Sequence, residues 1–120
     1  DRGMADALTR ADAYVEAGAD GIMIHSRKKT ADEIIEFCDK FRAKYADIPI
    51  VVVPTSYNHI TEAELAAHGV NIVIYANQLT RSAFPAMENT AKEILKNHRA
   101  LEVDEKLMSF KDIITLIDEL

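Results

Sequence analysis

A single cysteine, Cys38, serves this whole 120-residue chain. It excludes an internal disulfide and a cysteine-based zinc site, and it fits a reducing cytoplasm. No apolar run approaches the ~20 residues that cross a bilayer, so no membrane partner is expected. No signal-peptide pattern opens the chain. Positive charge is also scarce: 14 Lys and Arg face 20 Asp and Glu, for a net charge of −6. Nucleic-acid binders usually carry a basic footprint. The densest cationic cluster here, Arg27, Lys28 and Lys29, is too short for one, so no nucleic-acid partner is expected. A glycine-rich phosphate loop, a histidine-pair zinc motif and a carboxylate cluster at metal spacing are all missing.

What is present reads as an ordinary globular chain, 48% apolar and 28% charged. Its length suits one small domain. It opens at Asp1 rather than Met, and is expected to be a processed product or a piece of something longer.

Apolar residues recur at helical spacing over 4–17: Met4, Ala7, Leu8, Ala11, Tyr14 and Val15. Gly18 follows as the expected cap. The run DGIMIH, 20–25, predicts a buried strand. Thr30 and Glu33 match a capping box ahead of a helix over about 31–45, which buries Ile34, Ile35, Cys38, Phe41 and Tyr45. Ile50 to Val53 are β-branched without a break, which predicts a strand covered on both faces. Pro54 stops it. The loop TSYNH leads to a second capping box, Thr61 and Glu64, and a short helix to about His68. Residues 70–76, VNIVIYA, predict a third strand. A long helix is expected from Ser82 to about residue 98, with Pro85 in its first turn and Met87, Ala91, Ile94 and Leu95 inward. The stretch LEVDEK reads as a solvated loop within 99–108. A final helix is expected at 109–119, with Phe110, Ile113, Ile114 and Ile117 as its apolar stripe.

Strands alternating with helices imply right-handed crossovers and a parallel sheet, hence an α/β fold. Three strands make a small sheet with two open edges, which invite self-association. The first helix has no strand before it, so the chain is expected to start in mid-unit. A (β/α)₈ barrel of ~250 residues would use it as its last three units.

Parallel α/β folds bind ligands at the carboxyl ends of their strands. Here those ends carry His25-Ser26, Pro54-Thr55 and Ala76-Asn77. With three helix N-termini and the cations 27–29, they suit a phosphate or carboxylate ligand. Each piece has a plainer alternative. His25 either donates to an oxyanion and moves a proton near neutral pH, or is a satisfied core histidine. Ser26 and Thr55 read more simply as backbone caps than as nucleophiles. Asn77 either orients a ligand or caps the following helix. Tyr57, Asn58 and His59 sit on a loop that can reach a ligand. Arg81 reads as a helix-surface residue.

The segments AGADGIMIHS, VVVPTSY and GVNIVIYANQLTRSAFPAM, followed by VDEKLMSFKDI, resemble the carboxyl-terminal part of the phosphoenolpyruvate mutase family. That family lies within the isocitrate lyase/phosphoenolpyruvate mutase superfamily. The likeness runs over nearly all of the chain. GAD…HS and IYAN…R specify the superfamily. VPTSY and EVDEKL…KDI favour the mutases over the lyases. Phosphonopyruvate hydrolases and 2-methylisocitrate lyase-like C–C lyases stay open as alternatives.

The resemblance implies one partial domain, 1–120: three βα units of a (β/α)₈ barrel plus a C-terminal helix exchanged within a homo-oligomer. It implies interconversion of phosphoenolpyruvate and phosphonopyruvate, a step of phosphonate biosynthesis. Mg²⁺ would hold the pyruvate part, and the phosphoryl group would move through a loose, metaphosphate-like state. On the matching positions, His25 resembles the family histidine that contacts the phosphoryl group, with Ser26 in support. Thr55 and Asn77 match strand-end positions at the barrel mouth. The family's Mg²⁺-binding aspartates, its gate loop and its phosphate-binding arginine all precede the segments present here. No metal ligand is therefore expected in this chain, and the isolated piece is expected to be inactive. The competing reading is a non-catalytic, self-associating fragment.

Overall fold

A computed structural model describes residues 2–116. The chain forms two compact units, Asp1–Ala76 and Asn77–Leu120.

The first unit begins with helix α1 (Gly3–Glu16), whose apolar stripe faces the core at Ala11. It ends as its sequence predicts. Gly18 takes φ +92°, its N–H bonds the Val15 carbonyl, and the next N–H bonds the Tyr14 carbonyl. Paired bonds of this kind need the left-handed conformation that glycine adopts freely. Strand β1 (Ile22–Ile24), helix α2 (Asp32–Lys44), strand β2 (Ile50–Val52), helix α3 (Glu62–Ala67) and strand β3 (Ile72–Val73) follow. The sheet has the order β1-β2-β3, all parallel. Ile22 pairs with Ile50, and Val51 with Ile72. All three strands are shorter than the sequence predicts: β2 stops two residues before Pro54, and β3 stops at Val73 although the Ile74 N–H still bonds the Val52 carbonyl at 2.9 Å.

Helix α2 buries Ile34, Phe37, Cys38 and Phe41 against Ile22, Ile50 and Val52. Phe37 stacks on Phe41 at 5.6 Å between ring centroids. Ile35 and Tyr45 are only partly buried. The expectation of a strand covered on both faces is corrected. Met23, Val51 and Ile72 lie side by side in register, and Met23 and Ile72 are 58% and 49% exposed. The helices of this unit cover one face of the sheet, the face of Ile22, Ile50 and Val52.

The capping box at α3 forms: Thr61 Oγ1 accepts from the Glu64 N–H at 3.2 Å, and Glu64 Oε2 accepts from the Thr61 N–H at 2.8 Å. The one expected at α2 does not. Its N-cap is Ala31, without a side-chain bond, and Glu33 is engaged elsewhere. Tyr57 is also corrected, from a ligand-reaching loop residue to a fully buried one. Burial pushes its phenol up to about 12.

The second unit holds helix α4 (Gln78–Asn97), a 3₁₀ helix (Leu101–Lys106) that packs on α4, and helix α5 (Phe110–Ile114). Helix α4 starts four residues before the expected Ser82, because the Arg81 N–H already bonds the Asn77 carbonyl. Pro85 therefore sits in the helix interior rather than its first turn. Met87, Ala91, Ile94 and Leu95 are exposed, not inward. LEVDEK is a 3₁₀ helix rather than a solvated loop, and Val103 within it is buried. Phe110, Ile113 and Ile114 lie exposed on α5; Ile117 and the end of the expected helix fall outside the described residues.

Candidate functional site

A cleft of about 770 Å³ opens at the carboxyl end of β1. Three segments wall it: the start of α1 at Gly3 and Met4, the strand end from Ile24 to Lys28, and the first turn of α2 at Glu33 and Ile34. Two helix N-termini thus open on one hollow, which favours a negatively charged occupant.

His25 and Ser26 both line this cleft. They follow directly after β1 and differ in exposure. The His25 ring is exposed, so the core-histidine alternative does not hold. Ser26 is buried at 4% exposure. Its Oγ donates to Glu33 Oε1 and accepts from the Lys28 N–H at 3.0 Å. Lys28 Nζ lies 2.7 Å from Glu33 Oε2, so both carboxylate oxygens are engaged. The Lys28 ammonium, then the Ser26 hydroxyl, hold the Glu33 carboxyl below the ordinary carboxylate range. The same contact raises Lys28. Glu33 is thus bound to Ser26 and Lys28 and not in the capping box that its spacing predicts. Its signal, a hydroxyl seven positions upstream, is indistinguishable from a local cap in one dimension.

Of the cations on the cleft, Arg10 is bonded to Asp6 at 2.8 Å and Lys28 to Glu33. Arg27 forms no ion pair among the described residues, and Lys29 does not line the cleft. Thr55 follows β2 on the same sheet end but is not part of this hollow; its N–H bonds the Val53 carbonyl at 2.8 Å. Asn77 opens the second unit as the N-cap of α4, yet its side chain does not cap it. Its Oδ1 is buried with no hydrogen-bond partner among the described residues. Arg81 is exposed, in keeping with its surface reading. Among the described residues no three His, Cys, Asp or Glu gather into a metal-binding group.

Residues 1–95 match the model of the family described as phosphoenolpyruvate phosphomutase. The chain belongs to that family. It is 45% identical over 115 residues to the phosphonopyruvate hydrolase of Variovorax sp. (strain Pal2), covering 95% of this chain and 39% of the relative. It is 40% identical over 115 residues to the phosphoenolpyruvate phosphomutase of Streptomyces viridochromogenes, covering 96% and 36%. A solved phosphoenolpyruvate phosphomutase from Streptomyces platensis subsp. rosaceus superposes with a TM-score of 0.85 at 32% identity, covering 92% of this chain and 38% of that one. A solved phosphonopyruvate hydrolase complex with oxalate and Mg²⁺ gives 0.82 at 45% identity, covering 93% and 39%. The chain thus spans between a third and two fifths of the curated relatives it matches, their carboxyl-terminal part. Its parallel βα units are those of the last part of a (β/α)₈ barrel. The row of Met23, Val51 and Ile72 lies on the sheet face that the helices of this unit leave open. No helix among the described residues is long and apolar enough to cross a membrane.

Proposed function

We propose that this chain is the phosphoryl-binding end of an enzyme that interconverts phosphoenolpyruvate and phosphonopyruvate. The observation that carries the reading is the exposed His25 ring on an anion-favouring cleft, beside the unpaired Arg27. A phosphoryl group between two partners is loose and metaphosphate-like, with charge spread over three oxygens. It needs positioning and preorganised donors more than a covalent partner. His25 donates to one of those oxygens, Ser26 supports the turn that presents it, and Arg27 supplies charge. Thr55 and Asn77 take substrate-binding roles at the ends of the next two strands. The metal ligands come from parts of the enzyme outside these residues, so the piece alone is inactive. The complete protein is a cytoplasmic homo-oligomer that exchanges its C-terminal helix, a reading supported by the bare apolar side chains of α5.

A second reading, phosphonopyruvate hydrolysis, is favoured by one observation: identity to the Variovorax hydrolase is 45%, against 40% and 34% for two phosphomutases. Water then takes the phosphoryl group, and pyruvate and phosphate leave.

Phosphorus NMR of the full-length protein with phosphonopyruvate and Mg²⁺ separates the two. A phosphoenolpyruvate signal supports the mutase, orthophosphate supports the hydrolase, and neither removes both. In the active protein, His25→Ala is expected to slow turnover by more than about tenfold, ~1.4 kcal/mol of barrier. A smaller loss removes His25 from the phosphoryl group.

A further inference from the structure

We propose that Glu33 is a positioning residue of this cleft: by gripping Ser26 and Lys28 together it fixes the 25–28 turn and so aims the His25 ring. The inference rests on the phosphoryl-transfer reading for its catalytic consequence, though not for its geometry.

The strand ends at Ile24, so nothing in the sheet ladder holds the four residues that follow. Their anchorage comes from side chains. Ser26 Oγ is tied on both sides, to the Lys28 N–H in front and to Glu33 Oε1 behind. Glu33 in turn sits in the first turn of α2, where the helix dipole favours its negative charge. Its second oxygen holds Lys28 Nζ at 2.7 Å. One carboxylate on a rigid helix thus clamps two positions of a turn, and His25 is the residue between the sheet and the first clamped position. Ser26 is buried, so the loss of its acceptor leaves a hydroxyl unpaired out of water. The clamp has a second effect. By neutralising Lys28 it leaves Arg27 as the turn's unpaired cation toward an anionic ligand, among the described residues.

The test uses the full-length protein. Glu33→Gln keeps the shape and loses the charge, Ser26→Ala removes the clamped hydroxyl, and the pair are combined. With phosphonopyruvate as substrate, each single variant is expected to lower kcat by about tenfold or more, with KM within about threefold. The double variant is expected to fall no more than about threefold below the worse single one, because both cut the same connection. Losses that multiply, or a Glu33→Gln kcat within about threefold of wild type, overturn the proposal. If Glu33→Gln fails to fold, Lys28→Met with Ser26→Ala reads the same non-additivity.

A second measurement does not depend on turnover. The Lys28 side-chain titration, followed by NMR, is expected to move down in Glu33→Gln. An unmoved titration overturns the clamp whatever the activity. A moved titration in a wild-type protein that turns over no phosphonopyruvate keeps the clamp and discards the phosphoryl reading.

Discussion

Arg42, near the end of α2, donates to Asn71 Oδ1 at 2.9 Å, and the same oxygen accepts the Ile50 N–H at 2.9 Å. Asn71 thereby stands in for a strand residue at the start of β2. The guanidinium also bonds the carbonyls of Tyr45, Ile48 and Gly69. The planar fork lets one side chain serve several acceptors at once. Arg42→Met is expected to destabilise the full-length protein by roughly 2–3 kcal/mol, since bonds to a charged donor are worth about 1.5–3 each and are not additive. Urea unfolding measures it; a change below about 0.5 kcal/mol, the range of ordinary surface substitutions, would show the network to be ornamental.

Gly69 leaves that same junction no room. It sits at φ +81°, and an added Cβ would lie 2.7 Å from Arg42 Nε. Gly69→Ala is expected to cost about 1–2 kcal/mol from backbone conformation alone. Combined with Arg42→Met it is expected to cost less than the sum, because the crowded partner is gone. Thermal melts of the four proteins check this.

Cys38 is fully buried, and burial pushes its thiol up to about 11. A neutral, inaccessible thiol is a poor nucleophile. Alkylation at pH 8 is expected to be slower in the native protein than in urea by on the order of a hundredfold or more, since it requires local opening. Labelling at the rate of a free thiol would contradict the packing of α2.

Acid is expected to weaken the strand-end turn. The native Glu33 carboxyl titrates below its ordinary 4.5, chiefly through Lys28 and then Ser26. As pH falls below about 4.5, the unfolded chain takes up that proton first. The stabilisation is complete above 4.5 and is lost as pH drops through the lower native value. Glu33→Gln is expected to show a shallower acid loss of stability than wild type. Parallel curves in a pH series of unfolding midpoints would contradict it.

Pro85, inside α4, removes one helix hydrogen bond. Pro85→Ala is expected to stabilise by up to about 3 kcal/mol. Circular dichroism during thermal unfolding would register the gain; a loss would mean the proline's ring makes contacts worth more than the missing bond.

Local signals were the legible ones. Helical spacing located α1 and α2, Gly18 located a cap, and Thr61 with Glu64 formed the expected box. Thr30 and Glu33 carry the same signature and fail, because the carboxylate finds a buried hydroxyl and an ammonium instead. A pattern reports what a side chain can reach nearby, not which competitor wins. The stripe on α4 makes a related point: a period of 3.6 defines a face, and Met87 and Leu95 show that it does not say what covers that face. Tyr57 lay in a polar loop by composition, yet fills the core. The place of His25 and Ser26 on one cleft was legible because both follow the carboxyl end of a strand in a parallel sheet. The separation of Thr55 from their cleft was not, because neighbouring tips share a rim without sharing a hollow.

The Arg42 knot ties the amino ends of β2 and β3, while the cleft opens at the opposite tip of β1. Anchorage and chemistry are thus divided along the strand axis. On the proposed function, changes around His25 would act on anion handling while the base stays fastened, whereas a single change at Arg42 would loosen the platform beneath it.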